Sequence, residues 1–217
     1  MKSEVGERVA RLYESRFLRG YVRGKIGGDP VYDAVFHALP DAPVLDLGCG
    51  AGVLSFYLRE RGFRAPIIGV DHDGKKIAAA QAVARRYEGL EFRIGDARTP
   101  LDFRGSTVML DLLHYFRDDE QRAILHDAAQ RTPPGGVVII RDALRDGTLR
   151  YRMTYAQESF SRLIGWLKAA RLHFPTRELI AGAFEGFDQT VTPLWGRTPF
   201  NNYLFVMSRP SSGMTSR

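Results

Sequence analysis

Short apolar runs closed by glycine, proline or aspartate alternate along the middle of the chain with longer stretches whose apolar residues recur every three or four positions. The runs at 43–48, 66–71, 90–95, 106–113 and 137–142 read as strands, because a strand buried on both faces needs no polar alternation. Between them, the stretch from the glycine-rich turn to about Gly62 and the stretches 73–87 and 118–131 read as helices. Asp73 and Asp118 stand at two helix starts as N-caps, and Gln121 follows Asp118 at the spacing of a capping box. Pro133, Pro134, Gly135 and Gly136 stop the third helix. Strands alternating with helices build βαβ units and therefore a mostly parallel sheet.

Both ends of the chain depart from that rhythm. Residues 1–35 read as helix, with Val5, Val9, Leu12, Tyr13 and Phe17 as a packing stripe, so 1–38 forms a helical cap. After the fifth strand, 150–171 is a long helical stretch, and Thr176 starts a short helix that ends near Gly186. The runs 187–194 and 202–208, joined by 195–201, pair antiparallel. Segment 145–174 interrupts the alternation and carries Tyr151, Met153, Tyr155, Phe160, Leu163, Ile164, Trp166 and Leu167. It reads as a helical lid over a pocket, with ordinary helix packing as the alternative. The layout is one domain over 1–209 with a flexible tail at 210–217.

Composition adds limits. At 217 residues, 44% apolar and 26% charged, the chain suits a globular domain with a core of its own. One cysteine excludes an intrachain disulfide and any CxxC site. No apolar run approaches the ~20 residues of a membrane span, and the N-terminus has no signal-peptide pattern; the expected location is the cytoplasm. The net charge of +6 is concentrated at 145–177, where seven basic residues face two acidic ones. Such a patch is either a solvated helix face or an attraction for an anionic acceptor, free or carried on an acidic carrier protein. No zinc module or RNP-like signature points to nucleic acid as a partner. The sequence carries no signal for an oligomeric state.

The densest chemistry lies in Val44-Leu45-Asp46-Leu47-Gly48-Cys49-Gly50-Ala51-Gly52. Glycines at alternate positions after a strand and before a helix allow a sharp turn and close approach of a ligand to the backbone. Open α/β sheets bind ligands at the carboxyl ends of their strands, where Asp46 can meet a cationic group. Asp71 ends the second strand, placed for ribose hydroxyls, with His72 beside it. Asp96 ends the third, followed by Ala97, and can accept an exocyclic adenine amine. A dinucleotide fingerprint would need a third glycine where Val53 stands, so an NAD-type oxidoreductase is the lesser alternative. Cys49 reads as a buried, unreactive thiol.

On these residues the chain resembles the class I S-adenosylmethionine-dependent methyltransferases. Asp46 to Gly52 looks like the first motif of that family, Asp71 like its second-motif acid, and Gly95-Asp96-Ala97 like its third. Asp111-Leu112-Leu113-His114-Tyr115 resembles the segment ending its fourth strand, and Pro133 to Gly136 the turn before its fifth. The resemblance implies a Rossmann-like α/β fold: a seven-stranded, mostly parallel sheet with an antiparallel last strand and helices on both faces. It also implies S-adenosylmethionine as cofactor, S-adenosylhomocysteine as product, and a cofactor site of Asp46, Gly48, Gly50, Gly52, Asp71, His72, Asp96, Ala97, Asp111 and Leu112. A non-catalytic cofactor-binding or scaffolding protein is the alternative from another class.

A sulfonium methyl is already activated, so transfer needs positioning and a destination for the acceptor's proton. His114, just past the fourth strand, is the candidate base, or else a residue that shapes the pocket. Tyr115, Arg141 and Tyr155 are candidate acceptor contacts; Arg141 with Asp142 could instead form a surface ion pair. No Asx-Pro-Pro-aromatic segment follows the fourth strand, which disfavours methylation of base amines. The expectation is O-methylation of a small aromatic or acyl, lipid-like acceptor. No metal is expected, because Asp111 and Asp142 alone make too few hard ligands.

Overall fold

The computed structural model of the chain describes residues 2–163, 172–195 and 200–211. Ile164, Trp166 and Leu167 of the expected lid, and the tail beyond 211, lie outside the described residues. Five parallel strands carry the frame: β1 (Val44–Leu47), β2 (Ile67–Asp71), β3 (Leu90–Ile94), β4 (Ser106–Leu110) and β5 (Val137–Ala143). Strands β6 (Asp188–Pro193) and β7 (Asn202–Ser208) complete a seven-stranded sheet in the order β3-β2-β1-β4-β5-β7-β6. The last strand, β7, runs antiparallel between β5 and β6, as expected. Register sets the crevice edge: Asp46 pairs with Gly69 and Val108, and Leu110 with Arg141, so the acids at the strand ends gather at one side.

Alternation along the strands divides the core. Val44, Val108 and Ile139 face helices α1 (Lys2–Arg11), α2 (Arg16–Gly28), α3 (Val31–Ala38), α4 (Val53–Glu60) and α5 (Gly74–Ala84). Leu45, Met109 and Ile140 face α6 (Asp118–Arg131) and α8 (Arg177–Gly182), while α7 (Leu149–Leu163) follows β5. Helices thus cover both faces. Asp73 caps α5, accepting from the Lys75 and Lys76 amides. Asp118 is not a cap: it is the first residue of α6, and Glu120 reaches back to the Arg117 N–H at 2.9 Å. Gln121 instead is buried, donating to the Phe116 and His173 carbonyls.

The single N-terminal helix expected from the apolar stripe is three helices. Ser15 caps a new start by accepting from the Leu18 N–H, and Asp29-Pro30 separates α2 from α3. The break resets the helical phase, so Val5, Val9 and Tyr13 are buried while Phe17 is 67% exposed. Strand β4 ends three residues early, because Asp111 takes φ +56° and Leu113–Tyr115 form a 3₁₀ turn.

Candidate functional site

The three glycines after β1 all have left-handed backbone, with φ of 79°, 55° and 78° at Gly48, Gly50 and Gly52. Their surroundings differ. A Cβ at Gly48 would sit 2.8 Å from Leu112 Cδ1, and one at Gly52 would meet Phe92 and Phe56 below 3 Å. Those two glycines permit close packing. A Cβ at Gly50 would have only Lys76 Cδ near it, at 3.9 Å. Gly50 is therefore where the turn leaves room for a ligand.

The acids occupy different environments. Buried Asp71 accepts from the backbone N–H of Gly50 and of Asp73, each at 2.9 Å, which ties the end of β2 to the glycine turn. His72 beside it is 86% exposed. Asp46 is buried in β1; burial pushes its carboxyl up to about 7, against a lowering hydrogen bond from Ser55 Oγ at 3.0 Å. Asp96 lies at the surface with both oxygens on the Arg98 guanidinium, which also reaches Glu120 at 2.9 Å. Ala97 packs against the core of the α6 face. Burial raises the Cys49 thiol far above its usual range, consistent with an inert side chain.

Beyond β4 and β5 two charged groupings form. Arg141 and Asp142 do not pair with each other, because adjacent strand residues point to opposite faces. Asp142 holds His114: its Oδ1 lies 2.7 Å from Nδ1, and its Oδ2 accepts from the His114 backbone N–H at 3.3 Å. The His114 ring stacks on Phe174 at 5.4 Å and lies 4.2 Å from the ring of Tyr115. Tyr151 and Tyr155 of α7 pack around Phe174 at 5.8 and 6.3 Å. On the other face, Arg141 Nη1 meets Asp111 Oδ1 at 2.5 Å and Nη2 meets Asp29 Oδ2 at 2.7 Å, while Lys25 Nζ lies 3.5 Å from Asp111 Oδ2. Burial would raise the Asp111 carboxyl, but Arg141 and Lys25 outweigh it and hold it below the usual range.

Lys25, Asp29 and Phe174 carry no sequence signal of their own; only the fold brings them here. Part of the 145–177 charge is already engaged: Arg145 pairs with Asp118 at 3.1 Å, and the Arg150 guanidinium lies 4.5 Å over the Trp195 ring. No group of three or more His, Cys, Asp or Glu suited to a metal occurs among the described residues.

Residues 44–136 match the family described as methyltransferase domain. The Aspergillus campestris protein named methyltransferase ungE' is 39% identical over 93 residues, 41% of this chain and 27% of that protein. Ribosomal RNA small subunit methyltransferase A of a Bradyrhizobium species is 47% identical over 62 residues, 28% of this chain and 21% of that one. The chain thus matches about a quarter of the length of these curated relatives. Among solved structures, magnesium protoporphyrin IX methyltransferase of Synechocystis PCC 6803, with bound S-adenosylhomocysteine, superposes with a TM-score of 0.64 at 21% identity, covering 96% of this chain and 95% of that one. The left-handed glycine turn and the strand-end acids lie within the segment that matches a methyltransferase domain, and the likeness to the Synechocystis structure shows that the fold is shared.

Proposed function

We propose that the protein transfers a methyl group from S-adenosylmethionine to a small-molecule acceptor, with a hydroxyl oxygen as the favoured nucleophile. The observation that carries the acceptor chemistry is the buried His114–Asp142 pair at the carboxyl ends of β4 and β5. Both Asp142 oxygens accept from backbone N–H groups, Oδ1 from Ala143 at 2.8 Å and Oδ2 from His114 at 3.3 Å, so Asp142 is the acceptor in the 2.7 Å contact, with the ring proton on Nδ1 and Nε2 as the basic nitrogen. That arrangement suits removal of an acceptor proton, worth about 10²–10⁴ in rate.

The residues around the glycine turn suit the cofactor. Gly50 leaves room at the backbone, Asp71 offers carboxylate lone pairs for ribose hydroxyls, and the buried Asp46 is a counter-charge for an ammonium. Asp96 can receive an adenine amine only by sharing with Arg98. His72, Ala97, Asp111 and Leu112 complete the proposed cofactor contacts. When bound, the cofactor supplies an activated methyl that leaves neutral S-adenosylhomocysteine behind. Helices α1 to α3 serve as a cap, and the described residues of 145–174 as part of a lid. Tyr115, Tyr155 and Phe174 give that side an aromatic wall, which supports a flat acceptor and exclusion of water.

The test is transfer of labelled methyl to a panel of phenols, carboxylic acids and amines. Turnover on hydroxyl acceptors that falls at least a hundredfold in His114→Ala, with S-adenosylhomocysteine affinity kept, supports the reading. Equal turnover in the variant removes His114 from the chemistry. Turnover on amines alone rejects O-methylation.

A further inference from the structure

Arg141 carries a recognition edge that its present partners only half use. Its side chain is 6% exposed, and its Nε, buried, has no hydrogen-bond acceptor among the described residues. Nε and Nη2 lie on one edge of the guanidinium, the fork that matches the two oxygens of a carboxylate. Asp29 meets that edge through a single bond, Oδ2 to Nη2 at 2.7 Å. Its other oxygen is committed elsewhere: Oδ1 accepts from the Val31 N–H at 3.0 Å, at the start of α3. A carboxylate without that commitment would satisfy Nε and Nη2 together. A buried donor left unpaired is costly, so the edge favours such an exchange.

Asp29 also sits at the end of an element rather than within one. It is the C-cap residue of α2, which has glycine at 20, 24, 27 and 28, each with nothing within 4 Å of an added Cβ. Glycine within a helix is less favourable than alanine, and only Val22 and Ile26 of α2 are buried, while Phe17 and Tyr21 are exposed. Val22 and Ile26, with Leu18 packed beside them, hold one side of α2 in the core, so the Asp29 side chain rather than the whole helix is what gives way. The attachment of α2 beside the site is electrostatic: Lys25 to Asp111 and, four residues on, Asp29 to Arg141.

We infer that Arg141 is the seat for a carboxylate of the acceptor, and that Asp29 half-occupies this seat until the acceptor displaces it. The inference rests on the methyltransferase reading and names its substrate class, a small carboxylic acid. Replacing one carboxylate by another keeps two anions against Lys25 and Arg141, so no buried charge loses its partner. A neutral acceptor that displaced Asp29 would leave Arg141 underpaired, which discriminates against it.

The experiment is calorimetric titration of the full chain, saturated with S-adenosylhomocysteine, with benzoate and with benzamide as its neutral counterpart. Benzoate should bind at least tenfold tighter than benzamide. Asp29→Asn keeps the shape and an acceptor for Val31 while removing the competing charge, and should bind benzoate about tenfold tighter than the natural chain. Arg141→Lys keeps the charge but loses the fork, and should bind it about tenfold weaker. Benzoate affinity in Asp29→Asn equal to or below that of the natural chain overturns the inference, as does unchanged affinity in Arg141→Lys or absence of benzoate binding to all three. The expected benzoate pattern in a chain that does not bind S-adenosylhomocysteine would instead overturn the methyltransferase reading and leave the carboxylate seat standing.

Discussion

Asp46 should cost the unliganded protein stability at neutral pH, and Asp46→Asn should recover it. The carboxyl is buried in β1, and burial moves it from about 3.8 to about 7. The folded chain therefore holds this proton more tightly than the unfolded chain does. Its contribution is most favourable below about pH 4 and is lost as pH rises to about 7. At 1.36 kcal/mol per unit, a displacement of about three units amounts to about 4 kcal/mol across that window. Asparagine removes the titration and keeps an acceptor for Ser55 Oγ. Urea unfolding of both proteins at unit steps from pH 4 to 8 should show the stability difference, variant minus natural, growing by about 3–4 kcal/mol in favour of the variant. Parallel profiles would refute the burial argument. The same charge serves the ligand: a cofactor ammonium near Asp46 would stabilise the anion, so binding at pH 7 should release about half a proton. Calorimetry in buffers of different ionisation enthalpy reads this directly, and Asp46→Asn should release none and bind more weakly.

Gly50→Ala should lose cofactor affinity at least tenfold with only about 1 kcal/mol of stability lost to its left-handed backbone, because its Cβ has room in the unliganded fold. Gly48→Ala should lower the melting temperature further, since its Cβ collides with Leu112; thermal melts with S-adenosylhomocysteine titration separate the two. Asp71→Asn should weaken cofactor binding by both a lost charge and a disturbed glycine turn, seen by the same titration. Asp142→Asn should lower kcat about as much as His114→Ala, because an amide oxygen or nitrogen no longer fixes the His114 tautomer; steady-state kinetics on the best phenol checks it.

The parts of the fold that were legible share one property: their determinants are local. The five parallel strands and Asp73 as a cap announce themselves within a few residues. The apolar stripe of the N-terminal cap runs on through the polar Glu14-Ser15 step and so predicts one helix, whereas Ser15 and Asp29-Pro30 mark breaks at which the helical phase restarts. Aspartate is a strong cap residue, which favours Asp118 on sequence alone; in the fold the carboxylate of Glu120, bonding back to the Arg117 amide, supplies the same charge near the helix start.

The site divides along the same line. The glycine turn and Asp71 lie on neighbouring strand ends, so topology alone puts them together. The His114–Asp142 pair is also within reach, since parallel register sets Leu110 beside Arg141 and leaves Asp142 one residue and His114 four residues beyond that pair. Adjacency in sequence suggests an Arg141–Asp142 ion pair as one alternative, and adjacency in a strand is what separates the two. Lys25 and Asp29 lie 86 and 112 residues from Asp111 and Arg141. Four residues apart, they share a helix side that meets opposite charges from β4 and β5. Before the fold is known, a lysine and an aspartate among the arginines of a glycine-rich helix look like solubilising charge. Their meaning depends on which strand ends the cap reaches, and sheet order rather than local pattern decides that.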